Sequence, residues 1–142
     1  MKRVYVNEKW CLGCHLCEYY CAFANSDKTD MVKALKNTKI RPNINIEEQD
    51  QVSFAVSCRH CKDPLCVKSC IAGALSIEDG VVVTNSDKCV GCYTCILVCP
   101  YGAVLPSEGK VIQKCELCTR NGQDMPACVK NCPNAAIVFE ER

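Results

Sequence analysis

Apolar and polar residues alternate along one stretch in the first half of the chain, between residues 40 and 56. Every second position is apolar, first at Ile40, Pro42, Ile44 and Ile46 and then, beyond residues 47–50, at Val52, Phe54 and Val56. A period of two brings such side chains to one face of a strand. The pattern predicts a β-hairpin with one apolar face and a turn at residues 47–50.

Two shorter patterns predict further elements. Residues 30–36 can form a short helix that begins at Asp30 or Thr29, because both residue types cap helix N-termini. Leu75 and Ile77 on one side and Val81 to Val83 on the other flank Glu78-Asp79-Gly80, a sequence typical of a tight turn between two strands. Short helices and short strands together predict the α+β class.

Cysteine accounts for 16 of the 142 residues and is included in the hydrophobic share of 49%. The remaining apolar residues make a thin core, so another kind of link is expected to stabilise the fold. The N-terminal residues lack the apolar segment of a signal peptide, and no stretch reaches the roughly 18 apolar residues that span a bilayer. We therefore expect a cytoplasmic protein whose thiols bind metal rather than form disulfides.

The cysteines fall into four groups of four with none left over. The groups are Cys11, Cys14, Cys17, Cys21; Cys58, Cys61, Cys66, Cys70; Cys89, Cys92, Cys95, Cys99; and Cys115, Cys118, Cys128, Cys132. Groups one and three have two, two and three residues between successive cysteines, the spacing of bacterial ferredoxins. Groups two and four widen the second gap to four and nine residues.

This spacing has a physical cause. Three thiolates within one short loop can surround three corners of a 4Fe-4S cubane, and a fourth cysteine on the following helix faces a neighbouring cluster. Clusters are therefore expected in cross-linked pairs, and four groups predict four 4Fe-4S clusters. Zinc is the weaker alternative, because zinc modules join two cysteine pairs across a longer loop, whereas Pro100 and Pro133 follow the fourth cysteine as in ferredoxins.

The order of the groups predicts a single polyferredoxin domain over residues 1–142 that is built from two halves. Groups two and three form one continuous two-cluster half over residues 58–105. Groups one and four form the other, from residues 1–21 and 106–142. Residues 22–57 are an insertion that carries the hairpin, either as a lid over the clusters or as a surface for a partner.

The four-group order, the insertion after group one and the segment Ser57-Cys58-Arg59-His60-Cys61 resemble a known family, the four-cluster electron-transfer subunits. They serve dimethyl sulfoxide reductases, formate dehydrogenases, formate-linked hydrogenases, tungsten aldehyde oxidoreductases and anaerobic carbon monoxide dehydrogenase. In its small size, the chain is most similar to the ferredoxin-like protein that accompanies carbon monoxide dehydrogenase. The resemblance implies a duplicated bacterial ferredoxin-like fold with two halves related by a pseudo-twofold axis.

The resemblance also implies which cysteines share a cluster. The expected ligand sets are Cys11, Cys14, Cys17 and Cys132; Cys58, Cys61, Cys66 and Cys99; Cys89, Cys92, Cys95 and Cys70; and Cys115, Cys118, Cys128 and Cys21. With every cluster fully ligated by cysteine, none has a position open to substrate, so the chain is expected to carry single electrons and not to be an enzyme.

The expected partner is the catalytic subunit of an anaerobic oxidoreductase, with carbon monoxide dehydrogenase favoured and hydrogenase, a ferredoxin or an NAD(P) reductase as acceptor. A formate dehydrogenase, hydrogenase or tungsten aldehyde oxidoreductase complex is the alternative. Two other hypotheses are a subunit that takes part in forming an enzyme's active site and a structural or sensory cluster protein. Because the formal charge of +1 is scattered, we expect neither nucleic-acid binding nor membrane insertion.

Several residues near the cysteines have expected supporting roles. His15 and His60 are interpreted as hydrogen-bond donors beside the clusters or as solvent-facing residues, and Trp10, Tyr93 and Tyr101 as shields against water. Sixteen thiolates and four oxidised cubanes change the formal charge from +1 to about −7. Nearby lysines are expected to soften this charge and raise the potentials: Lys9, Lys62, Lys68, Lys88, Lys110 and Lys114.

Overall fold

The computed structural model covers residues 1–142 and contains only short elements. The strands are β1 Arg3–Val6, β2 Ile44–Gln49, β3 Val52–Ser57, β4 Leu75–Glu78, β5 Val81–Thr84, β6 Val104–Pro106, β7 Ile112–Lys114 and β8 Ile137–Glu140. The α-helices are α1 Leu16–Ala24, α2 Met31–Leu35, α3 Leu65–Lys68, α4 Thr94–Val98 and α5 Ala127–Lys130. The strands form four two-stranded sheets, β1-β8, β2-β3, β4-β5 and β6-β7. This mixture agrees with the predicted α+β class.

The chain divides into two compact units. Unit 1 comprises Met1–Val56 and Leu117–Arg142, and unit 2 comprises Ser57–Glu116. Unit 2 therefore extends beyond residue 105 and includes the β6-β7 hairpin. The longest helix, α1, has 9 residues, and none of the helices has the length and apolar character needed to cross a membrane.

In unit 1, the two ends of the chain pair with each other in one sheet. Strand β1 pairs antiparallel with β8, and Val4 lies opposite Phe139. Val4 and Ile137 are buried on this sheet, and helix α1 packs against α5 beside it. The pairing brings the N-terminal cysteine group near Cys132 of the same unit. No local pattern in the sequence indicates this sheet, because its strands lie at opposite ends of the chain.

The helix predicted over residues 30–36 is confirmed as α2. Asp30 is its N-cap, and Oδ1 of Asp30 accepts hydrogen bonds from the backbone N–H groups of Val32 at 2.9 Å and Lys33 at 3.2 Å. These bonds satisfy two donors that the first turn of a helix leaves unpaired. The sequence therefore predicted the helix, and of the two candidate caps the structure shows Asp30.

The predicted hairpin is also present, but two of its details are wrong. Strand β2 continues to Gln49, so the turn comprises Asp50, in a left-handed conformation, and Gln51 rather than residues 47–50. In β3 the buried residues are Ala55 and Ser57, whereas Val52 is 53% exposed. Ser53, on the same face as Ala55, is half-buried, and its side chain lies close to Gly13.

Unit 2 contains the predicted strand–turn–strand. β4 and β5 pair antiparallel with Glu78 opposite Val81, and the turn residues Asp79 and Gly80 both have positive φ. This agrees with the hairpin turns that match the twist of the strands. The buried core of unit 2 joins aliphatic residues with a cysteine: Leu75, Val82, Cys95, Val104 and Ile112. Cys66, Cys70, Cys89 and Cys99 pack against that core, so the thiols lie at its edge.

Candidate metal centres

In each cysteine group, the residue immediately before the second cysteine has a left-handed backbone conformation. These residues are Gly13 with φ 64°, His60 with φ 46°, Gly91 with φ 71° and Leu117 with φ 57°. The repeated conformation gives all four loops the same local curl. Glycine adopts it without penalty, but a side chain there costs roughly 1–2 kcal/mol.

Burial of the side chain accompanies the unfavourable conformation in groups two and four. His60 is fully buried, and its Nδ1 accepts a hydrogen bond from the backbone N–H of Val82 at 3.1 Å. Leu117 is also buried. His60 is therefore neither solvent-facing nor a donor through Nδ1, and the expected role of this residue is wrong in that respect. Its position one residue before a second cysteine is the sequence signal that could have identified it.

A helix follows the second cysteine in each of groups one and three. Its N-cap is His15 or Tyr93, and both have positive φ, which reverses the chain so that Cys17 and Cys95 lie in α1 and α4. After the fourth cysteine, Gly73, Gly102 and Ala135 repeat a positive φ in groups two, three and four. Group one differs because α1 continues through Cys21 to Ala24.

In unit 1, four thiols line one cavity. They are Cys11, Cys14 and Cys17 of group one together with Cys132 of group four. Trp10, Leu12, Ile46 and Ile137 are among the other lining residues. The pairing of β1 with β8 explains this arrangement, because Cys11 follows β1 and Cys132 precedes β8.

In unit 2, four thiols also line a cavity. They are Cys89, Cys92 and Cys95 of group three together with Cys70 of group two. The remaining lining residues are apolar or aromatic except for one glycine: Ala72, Ala74, Leu75, Val90, Gly91, Tyr93 and Ile112. In each unit, three cysteines of one group thus line a cavity together with the fourth cysteine of another group.

The other eight cysteines form less complete arrangements. Cys66 interacts electrostatically with Cys58 and Cys99 in unit 2, and Cys21 interacts with Cys118 in unit 1. Cys128 is buried in α5, whereas Cys61 and Cys115 are half-buried. No three cysteine, histidine or carboxylate side chains converge closely enough to hold a single metal ion.

Burial is the largest influence on the pKa of the inner thiols. It raises the pKa of Cys17 to about 12 and that of Cys21 to about 11, and it raises the pKa of Cys66 and Cys95. The exposed Cys92 differs, because a hydrogen bond from the Thr94 hydroxyl lowers its pKa. A ligand must be a thiolate, so binding of a metal group at the inner thiols releases protons.

Hydrogen bonds to sulfur are present at two of the fourth cysteines. The backbone N–H of Asn43 donates to Sγ of Cys21 at 3.3 Å, and Nδ2 of Asn25 lies 3.6 Å from the same atom. The backbone N–H of Ala74 donates to Sγ of Cys70 at 3.2 Å. Donors of this kind stabilise thiolates and the clusters that they hold.

The aromatic residues and His15 have mixed outcomes. Trp10 and Tyr93 line the two thiol cavities, whereas the Tyr101 ring is 5.5 Å from the guanidinium carbon of Arg59. His15 is half exposed, and its Nδ1 lies 2.8 Å from a carboxylate oxygen of Glu18, which raises the pKa of the imidazole.

Among the six lysines near the cysteine groups, five are exposed and Lys114 is buried. Its burial does not follow from the sequence, because Lys114 ends a three-residue strand with no distinctive pattern.

The donor set fits an iron–sulfur cluster. Each complete cavity supplies four thiols and an otherwise largely apolar lining. Such clusters require soft thiolate ligands in apolar surroundings.

Known proteins resemble the chain over most of its length. A family model described as a 4Fe-4S dicluster domain matches residues 49–142. An iron-sulfur protein of Rhodospirillum rubrum is 34% identical over 150 residues, which cover 94% of this chain and 79% of that protein. The electron transport protein HydN of Escherichia coli (strain K12) is 32% identical and is covered over 83% of its length, against 93% of this chain.

Longer proteins match as well. The chain spans 48% of a formate dehydrogenase iron-sulfur subunit from Haemophilus influenzae, with 34% identity, and only 21% of the Escherichia coli protein AegA, with 37% identity. These matches cover 91% and 94% of this chain. Among solved structures, a chain of the active site complex BamBC of benzoyl coenzyme A reductase with benzoyl-CoA has a TM-score of 0.53 and 19% identity. That match covers 100% of this chain and 80% of the other, and it indicates a shared fold only.

Proposed function

The chain belongs to the 4Fe-4S dicluster domain family, and from this premise we propose that it is an electron-transfer protein that carries single electrons through four 4Fe-4S clusters. The observation that carries the proposal is the composition of the two thiol cavities. Each joins three cysteines of one group to the fourth cysteine of another, which is the cross-linked arrangement of two-cluster ferredoxins.

Four ligand sets follow from this arrangement. Two are the cavity sets, Cys11, Cys14, Cys17, Cys132 and Cys89, Cys92, Cys95, Cys70. The third is Cys58, Cys61, Cys66, Cys99, which the interaction of Cys66 with Cys58 and Cys99 supports. The fourth is Cys115, Cys118, Cys128, Cys21, supported by the interaction of Cys21 with Cys118. These sets use all 16 cysteines and build two ferredoxin-like halves.

When bound, each cluster accepts and returns one electron and becomes more negative by one charge on reduction. The chain supplies the conditions for this exchange. Four thiolates hold each cluster and leave no position for substrate. N–H groups donate to ligand sulfur, as at Cys21 and Cys70, and favour the more negative state. Apolar residues such as Leu12 and Ile137 restrict the access of water.

The partner is proposed to be the catalytic subunit of an oxidoreductase. HydN is named an electron transport protein, and the Haemophilus influenzae relative is named a formate dehydrogenase subunit. Neither name refers to carbon monoxide dehydrogenase, so the partner expected from the sequence stays a prediction. Mixing the oxidised protein anaerobically with carbon monoxide dehydrogenase and carbon monoxide, or with formate dehydrogenase and formate, distinguishes the two. The physiological pair is expected to reduce the clusters at catalytic enzyme concentrations.

An electron-transfer assay separates the proposal from a structural or sensory role. Protein reduced by dithionite and freed of excess reductant is mixed with an oxidised acceptor protein such as a ferredoxin. A carrier is expected to return about one electron per cluster while its iron content stays constant. Clusters that stay reduced in the presence of acceptor, or that are lost during one cycle, would contradict the proposal.

A further inference from the structure

Lys114 is a buried ammonium group in the part of unit 2 that surrounds Cys66. Its relative exposure is 3%, whereas Lys62, Lys68, Lys88 and Lys110 of the same unit are exposed. Nζ of Lys114 donates hydrogen bonds to the backbone oxygen of Val82 and, at 2.7 Å, to that of Cys115. Two strands therefore fix the position of this charge, because Val82 belongs to β5 and Lys114 to β7.

A buried ammonium group is costly without negative charge nearby. Removing it from water costs several kcal/mol, and two neutral carbonyl groups compensate for only part of that cost. The thiols close to Lys114 supply the missing partner once they bind a cluster. Val82, whose oxygen binds Nζ of Lys114, donates its backbone N–H to Nδ1 of His60, the residue before Cys61. Cys66 and Cys99 pack against the buried core that contains Val82, so the ammonium group lies in the region of this cysteine set.

We propose that Lys114 is the residue that sets the reduction potential of the cluster held by Cys58, Cys61, Cys66 and Cys99. The inference rests on the proposed function, because it requires a cluster at those cysteines. Reduction adds one negative charge to the cluster, and a fixed positive charge in a region of low dielectric constant stabilises that state. The exposed lysines have much smaller effects, because water and salt screen them.

The thiol cavity described in this unit has no such charge. The residues that line the cavity of Cys70, Cys89, Cys92 and Cys95 include no lysine, arginine, aspartate or glutamate. Lys114 therefore creates a difference between the two clusters of unit 2. An electron entering this unit is expected to occupy the cluster of Cys58, Cys61, Cys66 and Cys99 first.

The test compares charge removal at one buried and one exposed lysine. Lys114→Met and Lys114→Gln remove the buried charge, Lys114→Arg retains it, and Lys68→Met removes an exposed charge two residues from Cys66. Magnetic resonance spectra are recorded while dithionite and mediators set the potential. We expect both neutral variants at Lys114 to lower the equilibrium constant for reduction of one cluster at least about tenfold, equivalent to 59 mV for one electron. Lys114→Arg and Lys68→Met are expected to shift it much less.

The outcomes separate this inference from the assignment of the cluster. The iron and sulfide contents of the wild type, together with the cluster spectrum that Cys99→Ala loses, first establish whether a cluster is present at these cysteines. If the wild type has no cluster there, the assignment is refuted. With the cluster present, an unchanged potential in the neutral variants, or an equal shift in Lys68→Met, would refute the role of Lys114. If both neutral variants fail to assemble this cluster while Lys114→Arg assembles it, Lys114 serves assembly and the inference is overturned.

Discussion

Substitution of Gly91 by alanine tests the packing of a cysteine loop. Gly91 lies between Cys89 and Cys92 with φ 71°, and a Cβ atom on it would lie 2.0 Å from the backbone oxygen of Lys110. A distance this short cannot be relieved by rotating a side chain, because the obstacle is main chain. Either the loop or the turn at Lys110 must move, and both belong to unit 2.

Gly102 provides a matched control for the loss of stability expected at Gly91. It has φ 61°, and no atom lies within 4 Å of the Cβ position. Gly102→Ala is therefore expected to cost only the left-handed conformation, about 1–2 kcal/mol. Gly91→Ala adds the cost of overpacking, about 1–3 kcal/mol. Gly13→Ala should fall between them, because the atoms near its Cβ position belong to the Glu48 and Ser53 side chains, which can move.

The rate of iron release in urea measures the difference under anaerobic conditions. If the additional cost acts fully on the barrier to opening, Gly91→Ala should lose iron about 5-fold to 150-fold faster than Gly102→Ala. The spectrum of the cluster of Cys89, Cys92, Cys95 and Cys70 should disappear first. Equal rates for the two variants would show that the loop does not approach Lys110 as described.

Three further predictions concern the clusters and their surroundings. Removing iron with a chelator and an oxidant should unfold both units, because the apolar core is thin; sharp, dispersed amide signals from the iron-free protein would contradict this. Asn25→Ala removes a donor to Sγ of Cys21 and should lower the potential of one cluster in a redox titration, and a uniform shift of all clusters would exclude a local effect. Asp30→Ala should destabilise α2 by about 1 kcal/mol, measured as faster amide exchange in that helix, and unchanged exchange would refute the capping role.

Local rules predicted the elements that depend on neighbouring residues. Asp30 caps α2 because its side chain reaches donors two and three residues ahead. The turn at Asp79 and Gly80 follows from residues that accept positive φ. The spacing of the cysteines likewise identified the four groups, because the loop around a cluster is built from consecutive residues.

Features that depend on distant contacts could not be predicted. The pairing of β1 with β8 requires knowledge of both chain ends. The buried face of β3 was mistaken, because the period of two placed Val52 and Phe54 on the inner face, whereas Ala55 and Ser57 are the buried residues. Lys114 resembled five exposed lysines in the sequence, and only the position of β5 beside β7 shows its burial.

The central claim is that four clusters are held by crossed sets of cysteines, and variants of three cysteines test it most directly. Cys132→Ala should alter the magnetic resonance signature of the cluster that Cys11, Cys14 and Cys17 hold, because Cys132 lines their cavity. Cys118→Ala and Cys21→Ala should both alter a second, different cluster. Wild-type protein should contain about 16 iron and 16 sulfide per chain. If Cys132→Ala and Cys118→Ala damage the same cluster, or Cys21→Ala damages that of Cys11, the crossed arrangement and the electron path built on it are wrong.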